Sequence, residues 1–402
     1  MATRPEVLSI RDRDVVTSPF ATAAHYIFQL DLVLLAVVGG LVAYGLWIVN
    51  TVTVDDIPGD PSFFIARQSF AAGLGGIALI ALASINPDVL RRLRVPLYLT
   101  AAVLLVVVLF TTPIRESRRW LDLGFFNFQP SEFAKLALAL VVASLVASGG
   151  TEGLGWRRVG IVLGVSAPLG LLVFVEPDFG TSLALAVMVA AGFFFAGARW
   201  RILLTLGLLT AAVALAVLWL LPSNGVAVLK PYQEDRLLGF LDPSSDPTGS
   251  TYNVNQSITA VGAGGLTGRG TEDASQTTGF YLPEHATDFV FASLAEQRGF
   301  VGAALLLLLY GALLWRGARI MGMAPTMFQM VLAGCIVSVL LFQIVVNVGM
   351  TMGIAPVVGL PLPFVSYGGS SMFVSLAMVG VLLAIHAQGR LTKQNGNRSE
   401  WR

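Results

Sequence analysis

Apolar residues run through this chain in long blocks, and polar residues collect between them. Ten blocks approach or exceed the roughly 20 residues of helix that a bilayer core requires: 30–50, 68–86, 95–112, 132–148, 157–175, 179–197, 201–221, 287–315, 325–352 and 365–388. The pattern predicts an all-α, polytopic membrane protein with about ten transmembrane helices. Residues 1–29 form an N-terminal tail, 30–390 one membrane domain and 391–402 a C-terminal tail, with a large loop over 222–286 between the seventh and eighth spans. The first block lacks a short apolar core with a small-residue cleavage site and is followed by further spans, so it reads as a retained helix.

Composition agrees with this reading. The chain is 55% hydrophobic and 12% charged, with a mean hydropathy of +0.76, whereas soluble domains carry about 25% charged residues. A net charge of +1 argues against a nucleic-acid binder. Cys335, the sole cysteine, falls inside the ninth block, which leaves no disulfide framework or cysteine metal site. Basic residues set the orientation. With ten spans, the side that holds both termini carries 16 of the 25 Lys and Arg residues, among them Arg91, Arg92, Arg94, Arg157, Arg158, Arg316 and Arg319. By the positive-inside rule that side is the cytoplasm.

Irregular backbone gathers in four places. The segment Thr111–Ser131 carries Arg115, Glu116, Arg118 and Arg119 ahead of Gln129-Pro130-Ser131-Glu132. Pro130 suits the first turn of the next helix, and Glu132 and Lys135, three apart, share its face. A surface ion pair accounts for that spacing, but an unpaired ammonium inside an apolar run would be expensive. Glu176-Pro177-Asp178-Phe179-Gly180-Thr181 reads as a sharp outer turn in which Asp178 caps the following helix. The loop 222–286 is far longer than an ordinary connection and holds enough aromatic residues to pack as an ordered cap. Its run Gly262–Gly270 is no nucleotide loop, because no strand precedes it. Its glycines instead permit close backbone approach, with amides able to bind an anion beside Arg269. Finally, Pro356–Ser371 cannot continue a helix yet is apolar, so it re-enters the membrane or lines a cavity, where protein or water must satisfy its backbone.

These motifs, in order, resemble a known family. Trp120-Leu121-Asp122-Leu123-Gly124 leading to Phe128–Lys135, Pro177–Thr181, Gly239–Pro243 followed by Tyr252 and Gln256-Ser257, Leu282-Pro283-Glu284 to Thr287-Asp288-Phe289, and Gly359–Phe364 to Ser366–Ser371 are similar to the SEDS family (shape, elongation, division and sporulation). The resemblance covers about residues 30–390, and the Arg119–Gly124 run is closer to the RodA type, of elongation, than to the FtsW type, of division. The chain departs from the family pattern in having Glu176 before Pro177-Asp178, where glutamine is usual, and Ala286 before Thr287-Asp288, where histidine is usual, with His285 displaced by one.

The resemblance implies the SEDS fold and a peptidoglycan glycosyltransferase that polymerises lipid II at the outer face of the bacterial cytoplasmic membrane. The 4-hydroxyl of an acceptor sugar attacks the anomeric carbon of the donor and expels undecaprenyl pyrophosphate. One carboxylate suffices as base where the leaving group is already good, and Asp288 takes that role. Lys135, oriented by Glu132, opposes the charge of the departing pyrophosphate. Arg115, Arg118, Arg119, Asp178, Arg236, Gln256, Arg269, Glu284, Ser366 and Ser370 are the expected substrate-binding residues. A divalent cation, Mg or Mn, is possible on Asp178, Glu284 and Asp288, although their spacing does not demand one. The expected partners are lipid II and its undecaprenyl pyrophosphate-linked glycan, membrane lipid, and a class B penicillin-binding protein that supplies the crosslinking activity. That partner's helix would meet small residues of the eighth and ninth spans, Gly302, Ala303, Ala304, Ala333 and Gly334. Two other readings predict different patterns. A lipid-linked precursor transporter needs polar residues through the bilayer, and a pure scaffold tolerates loss of Asp288.

Overall fold

The computed structural model describes residues 29–112, 118–122, 124, 127–148, 154–220, 240, 251–279 and 281–399. Ten helices account for the ten apolar blocks: α1 (Leu32–Val52), α2 (Phe63–Ala83), α4 (Arg94–Val108), α5 (Pro130–Ala147), α6 (Trp156–Val175), α7 (Phe179–Phe195), α8 (Trp200–Leu215), α11 (Val290–Met323), α12 (Met327–Thr351) and α13 (Gly369–Ser399). Seven of them are long and apolar enough to cross a membrane by themselves. The others, α4, α7 and α8, have 15, 17 and 16 residues, and α8 is prolonged by a π-helical turn over Ala216–Leu220. The shorter helices are α3 (Pro87–Arg92), just before α4, and α9 (Tyr252–Gly264) and α10 (Ser275–Thr278) in the large loop. One ladder interrupts the helical architecture: β1 (Leu121–Asp122) pairs antiparallel with β2 (Asn127–Phe128), Leu121 opposite Phe128.

The helix starts follow local chemistry. Asp31 caps α1 by accepting from the amides of Val33 and Leu34, Asn86 caps α3 ahead of Pro87, and Thr326 caps α12. Pro130 opens α5, where its missing N–H costs nothing. Asp31 also binds Arg316, its Oδ2 accepting from Nε at 3.0 Å. Gln29 O lies 3.2 Å from His386 Nδ1. The start of α1 and the ends of α11 and α13 therefore share one end of the bundle. The opposite end, called outer below, carries Gln129, Asp178 and Asp288.

Burial separates the spans into a centre and a ring. In its most apolar stretch α13 is 94% buried and α5 78%. Apolar residues all round α13 suit a helix that faces only protein. The helices approach closely through glycine: a Cβ at Gly380 would lie 2.6 Å from Leu79 O of α2, and one at Gly45 of α1 would lie 2.3 Å from Phe364 O. The small residues expected to receive a foreign helix are mostly engaged within the bundle itself. Gly334 abuts the Phe195 ring and Gly302 the Arg298 side chain, while Ala303 and Ala333 are buried.

Two elements depart from the simple span pattern. The helix α11 is longer than the block 287–315 and runs to Met323, because Arg316 and Arg319 stay helical at the bundle's end, one bound to Asp31 and the other over the Trp315 ring. It is also broken at Gly299 (φ 63, ψ −163) into a buried outer piece and the span proper. The glycine-rich run sits in that break. The amides of Arg269 and Gly270 donate to Glu296 O and Gln297 O, and the amides of Phe300 and Val301 donate to Gly265 O and Leu266 O. Those amides satisfy orphan helix carbonyls rather than facing an anion. The second departure is the segment 352–368 between α12 and α13. Val358, Leu360, Leu362, Phe364 and Val365 are buried there outside any helix, with a single turn closed by Val365 N and Ser366 N on Leu362 O.

The break makes Gly299 indispensable. At its φ and ψ only glycine is at ease, and other residues cost about 1–3 kcal/mol; a Cβ would also lie 2.3 Å from Gly268 N. Gly299→Ala should markedly lower the thermal midpoint and the yield of folded protein in detergent. Gly311→Ala, on the same helix with nothing within 4 Å of its Cβ, should not.

Candidate functional site

The outer ends of α5, α7, α11 and α13 are tied together by side chains that reach from one connection to the next. Asp178 caps α7 through Thr181 N at 3.1 Å, and its second oxygen accepts from Gln129 Nε2 at 3.0 Å and Ser131 Oγ at 2.9 Å. The turn that carries Asp178 is held in turn by Arg119, which donates to Glu176 O at 3.0 Å and to Pro177 O. Ser370, at the start of α13, accepts from Gln129 N at 2.8 Å and donates to Asn127 O at 3.0 Å. The start of α5 is thus fixed from two sides.

On α5, Lys135 Nζ lies 2.7 Å from Glu132 Oε1, and both side chains are only 1% exposed. The spacing of three places both on one face, as the sequence implies. The second oxygen, Glu132 Oε2, has no partner among the described residues. A buried pair of this kind is a fixed dipole whose ammonium retains donor capacity.

The segment Leu282–Phe289 that carries Asp288 is held through its main chain. Tyr367 N donates to Ala286 O at 2.8 Å, Ser366 Oγ to Thr287 O at 2.5 Å, and Asn347 Nδ2 to Asp288 O at 2.9 Å. Ser366 Oγ also accepts from Leu362 N at 2.8 Å. Gln68 of α2 braces the same segment, donating to Ser366 O at 3.0 Å and accepting from Gly368 N at 3.1 Å. His285 places Nδ1 3.2 Å from Leu282 O and Nε2 3.1 Å from Asp56 Oδ1. Glu284 is exposed and accepts from Thr287 Oγ1 at 2.7 Å. Glu284 (φ 55) and Phe364 (φ 67), one on each of the two clamped segments, adopt left-handed backbone. Non-glycine residues hold that conformation only where their surroundings impose it. Asp288 itself is half-buried, and α11 begins after it with Phe289 at the cap position.

The other expected residues lie further out. Arg118 is exposed and donates to Leu109 O at 3.1 Å. Arg269 is exposed and its Nε donates to Ala263 O at 3.1 Å. Gln256 is half-buried on α9, beside Ser257, whose hydroxyl donates to Thr351 O. Arg115 and Arg236 lie outside the described residues. Asp178, with both oxygens already engaged, does not join Glu284 and Asp288 as an ion cage. Among the described residues no three or more His, Cys, Asp or Glu side chains gather as metal ligands.

Three polar positions, Asp56, Gln68 and Asn347, emerge only from the structure, and a fourth, Glu296, gains its role there. Asp56 and Gln68 secure neighbouring segments, and Asn347 lies at the end of an apolar block. Glu296 accepts from Gln276 N at 2.8 Å, Thr277 N at 2.9 Å and Thr277 Oγ1 at 2.7 Å, which fixes α10 onto α11. Asn347 had a sequence signal, an amide inside an otherwise apolar run, whereas Gln68 sits between Arg67 and Ser69 at the start of its block. Glu176 is buried with neither oxygen partnered among the described residues. Burial, then the adjacent Asp178 charge, outweigh the nearby Arg119 guanidinium, and its carboxyl is pushed up to about 8.

Comparison with known proteins places these features in context. The family model for FtsW, RodA and SpoVE, described as cell cycle protein, matches residues 27–391. The peptidoglycan glycosyltransferase MrdB of Escherichia coli is 36% identical over 91% of this chain and 96% of its own. A chain from a structural study of how a peptidoglycan synthase complex coordinates polymerization and crosslinking superposes with a TM-score of 0.75 at 33% identity, over 90% of this chain and 98% of that one. The rod shape determining protein RodA of Thermus thermophilus does so with a TM-score of 0.64 at 30% identity, over 89% and 96%.

Two outcomes are expected from this geometry. Changing Glu132 or Lys135 alone to Ala leaves a lone buried charge and should cost about 3–5 kcal/mol. The double change should be no worse than the poorer single, and a cycle of thermal midpoints checks this. Because the Glu176 carboxyl is raised in the folded protein, the native state holds a proton that the unfolded chain releases above the usual carboxylate range. Stability therefore falls as pH climbs from that range through about 8. Glu176→Gln removes the effect, so its thermal midpoint should exceed that of the parent more at pH 8.5 than at pH 5.

Proposed function

The chain belongs to the FtsW, RodA and SpoVE family of cell cycle proteins, the SEDS family, and from that premise we propose that it polymerises lipid II at the outer face of the cytoplasmic membrane. It is a multi-pass membrane protein and a peptidoglycan glycosyltransferase of cell shape or division. The observation that carries the finer reading is the joining of the outer connections through Ser131, Asp178, Ser366 and Ser370. That joining gathers Asp288 and the Glu132–Lys135 pair at one end of the bundle.

In this reading the Asp288 carboxylate takes the proton from the acceptor 4-hydroxyl as the new bond forms to the donor's anomeric carbon. The bond from that carbon to the pyrophosphate oxygen breaks, and the electron pair leaves with undecaprenyl pyrophosphate. Lys135 supplies the fixed positive charge that opposes the developing negative charge, and Glu132, buried with it, keeps it oriented. Arg119 and Asp178 act on the backbone that shapes the site. Both termini lie in the cytoplasm on this reading, since the basic residues concentrate on their side. A class B penicillin-binding protein supplies crosslinking. The synthase complex to which the superposed chain belongs, one that coordinates polymerization and crosslinking, supports such a partner.

Asp288→Asn keeps the shape of the side chain and loses the base. Purified full-length protein with its transpeptidase and lipid II should lose glycan polymerisation by about 10²–10⁴-fold while its thermal midpoint is retained. Polymerisation at the parent rate would refute the assignment of Asp288.

A further inference from the structure

Asn347 lies on the last turns of α12, one of the long apolar spans, and it is fully buried. Its Nδ2 donates two hydrogen bonds in divergent directions, to Asp288 O at 2.9 Å and to Leu360 O at 2.8 Å. The two carbonyls settle which end of the amide faces them, because the oxygen in that place would meet two acceptors. Asn347 Oδ1 has no partner among the described residues, so the side chain is held by its donor end alone. We propose that Asn347 is a positioning residue for catalysis, which sets the Asp288 carboxylate by gripping its peptide carbonyl and locking it to the segment between α12 and α13. The proposal rests on the assignment of Asp288 as the base.

The chemistry of the position is restrictive. Two hydrogens on one neutral nitrogen at this reach are available only from an amide of this length. Serine offers one hydrogen, aspartate when ionised offers none and turns a charge toward two carbonyls, and lysine brings a buried cation. On the far side of Asp288, Phe289 is buried in a small cluster with Ala260, Leu282 and Ala292. Asp288 is therefore fixed from both directions, its carbonyl by Asn347 and the following residue by packing. Leu360, the other residue gripped, abuts Gly180, where an added Cβ would meet Val358 O at 2.5 Å and Leu360 Cγ at 2.8 Å. Gly180 lies in the first turn of α7, which Asp178 caps. Asn347 thus refers the base to the same framework that holds the start of α5.

The test uses the full-length chain with its transpeptidase and lipid II, with rates expressed per folded, monodisperse protein. Asn347→Ala should lower kcat about a hundredfold, the scale of a 1 Å misplacement, with KM for lipid II within about twofold of the parent. Asn347→Ser, which keeps one donor, should fall between the two. In an Asp288→Asn background, Asn347→Ala should cost the residual rate nothing further, because the group it positions is gone. An unchanged kcat, a rise in KM alone, or full additivity with Asp288→Asn would overturn the proposal. So would failure of both Asn347 variants to fold, which would assign the residue to fold maintenance. Activity retained in Asp288→Asn alone would instead refute the underlying base assignment, so the two failures are separable.

Discussion

Non-helical backbone at membrane depth has to find its hydrogen-bond partners in protein or in a water-lined cavity, and the outer half of this molecule meets that requirement with protein groups. Helix α11 stops being helical at Gly299, and 352–368 never becomes helical. Gly299 and residues 362–366 of the second stretch are buried, and both stretches are met by dedicated groups. The glycine-rich run pairs its own backbone with the broken helix ends, and Gln68, Tyr310, Asn347 and Ser366 serve the segment 352–368. Two of these groups, Ser366 and Asn347, also hold Thr287 and Asp288 in place, and Tyr367 N of the same segment holds Ala286. Satisfying the backbone and building the site are therefore one structural problem with one solution.

Charge is handled by a related logic at both ends of the bundle. Asp31 is buried because it caps α1 and binds Arg316, and Lys135 is buried because Glu132 meets it. Asp178 has its oxygens divided among three donors. Glu176 is the exception: a carboxyl in a buried place where nothing described donates to it, at a position where the family pattern has a neutral amide. A protonated carboxyl is neutral and carries one donor, which makes it the nearest acidic approximation to that amide.

The ten apolar helices were legible because each is a continuous apolar block, seven of them long enough to span on that ground alone, and Pro130 and Asp178 were legible as cap residues because capping is local chemistry. The Glu132–Lys135 pairing followed from spacing on one helix. Resemblance to the family singled out Asp288, yet nothing local reveals that its carbonyl is gripped by a residue 59 positions away. The break at Gly299 was hidden because an apolar block reads the same whether or not it bends, and its cause lies in the loop that docks there. Asn347 and Gln68 were overlooked because the apolar blocks were searched for charge, whereas a neutral amide does comparable work at lower desolvation cost. Asp56 escaped notice for another reason: its partner His285 is supplied by tertiary contact between two loops.

The most enclosed helix of the bundle, α13, follows the other nine spans in sequence. During synthesis those nine enter the membrane before α13 exists, and the faces that α2 and α5 later bury against it stand open. Assembly therefore cannot be a stepwise growth in which each new helix adds to a finished core, as in domain-by-domain folding during translation. The close approaches at Gly75, Gly380 and Gly45 form only when α13 and the segment leading to it arrive. The outer connections that hold Asp288 close at the same moment, so the nascent protein gains its site only on reaching its final architecture.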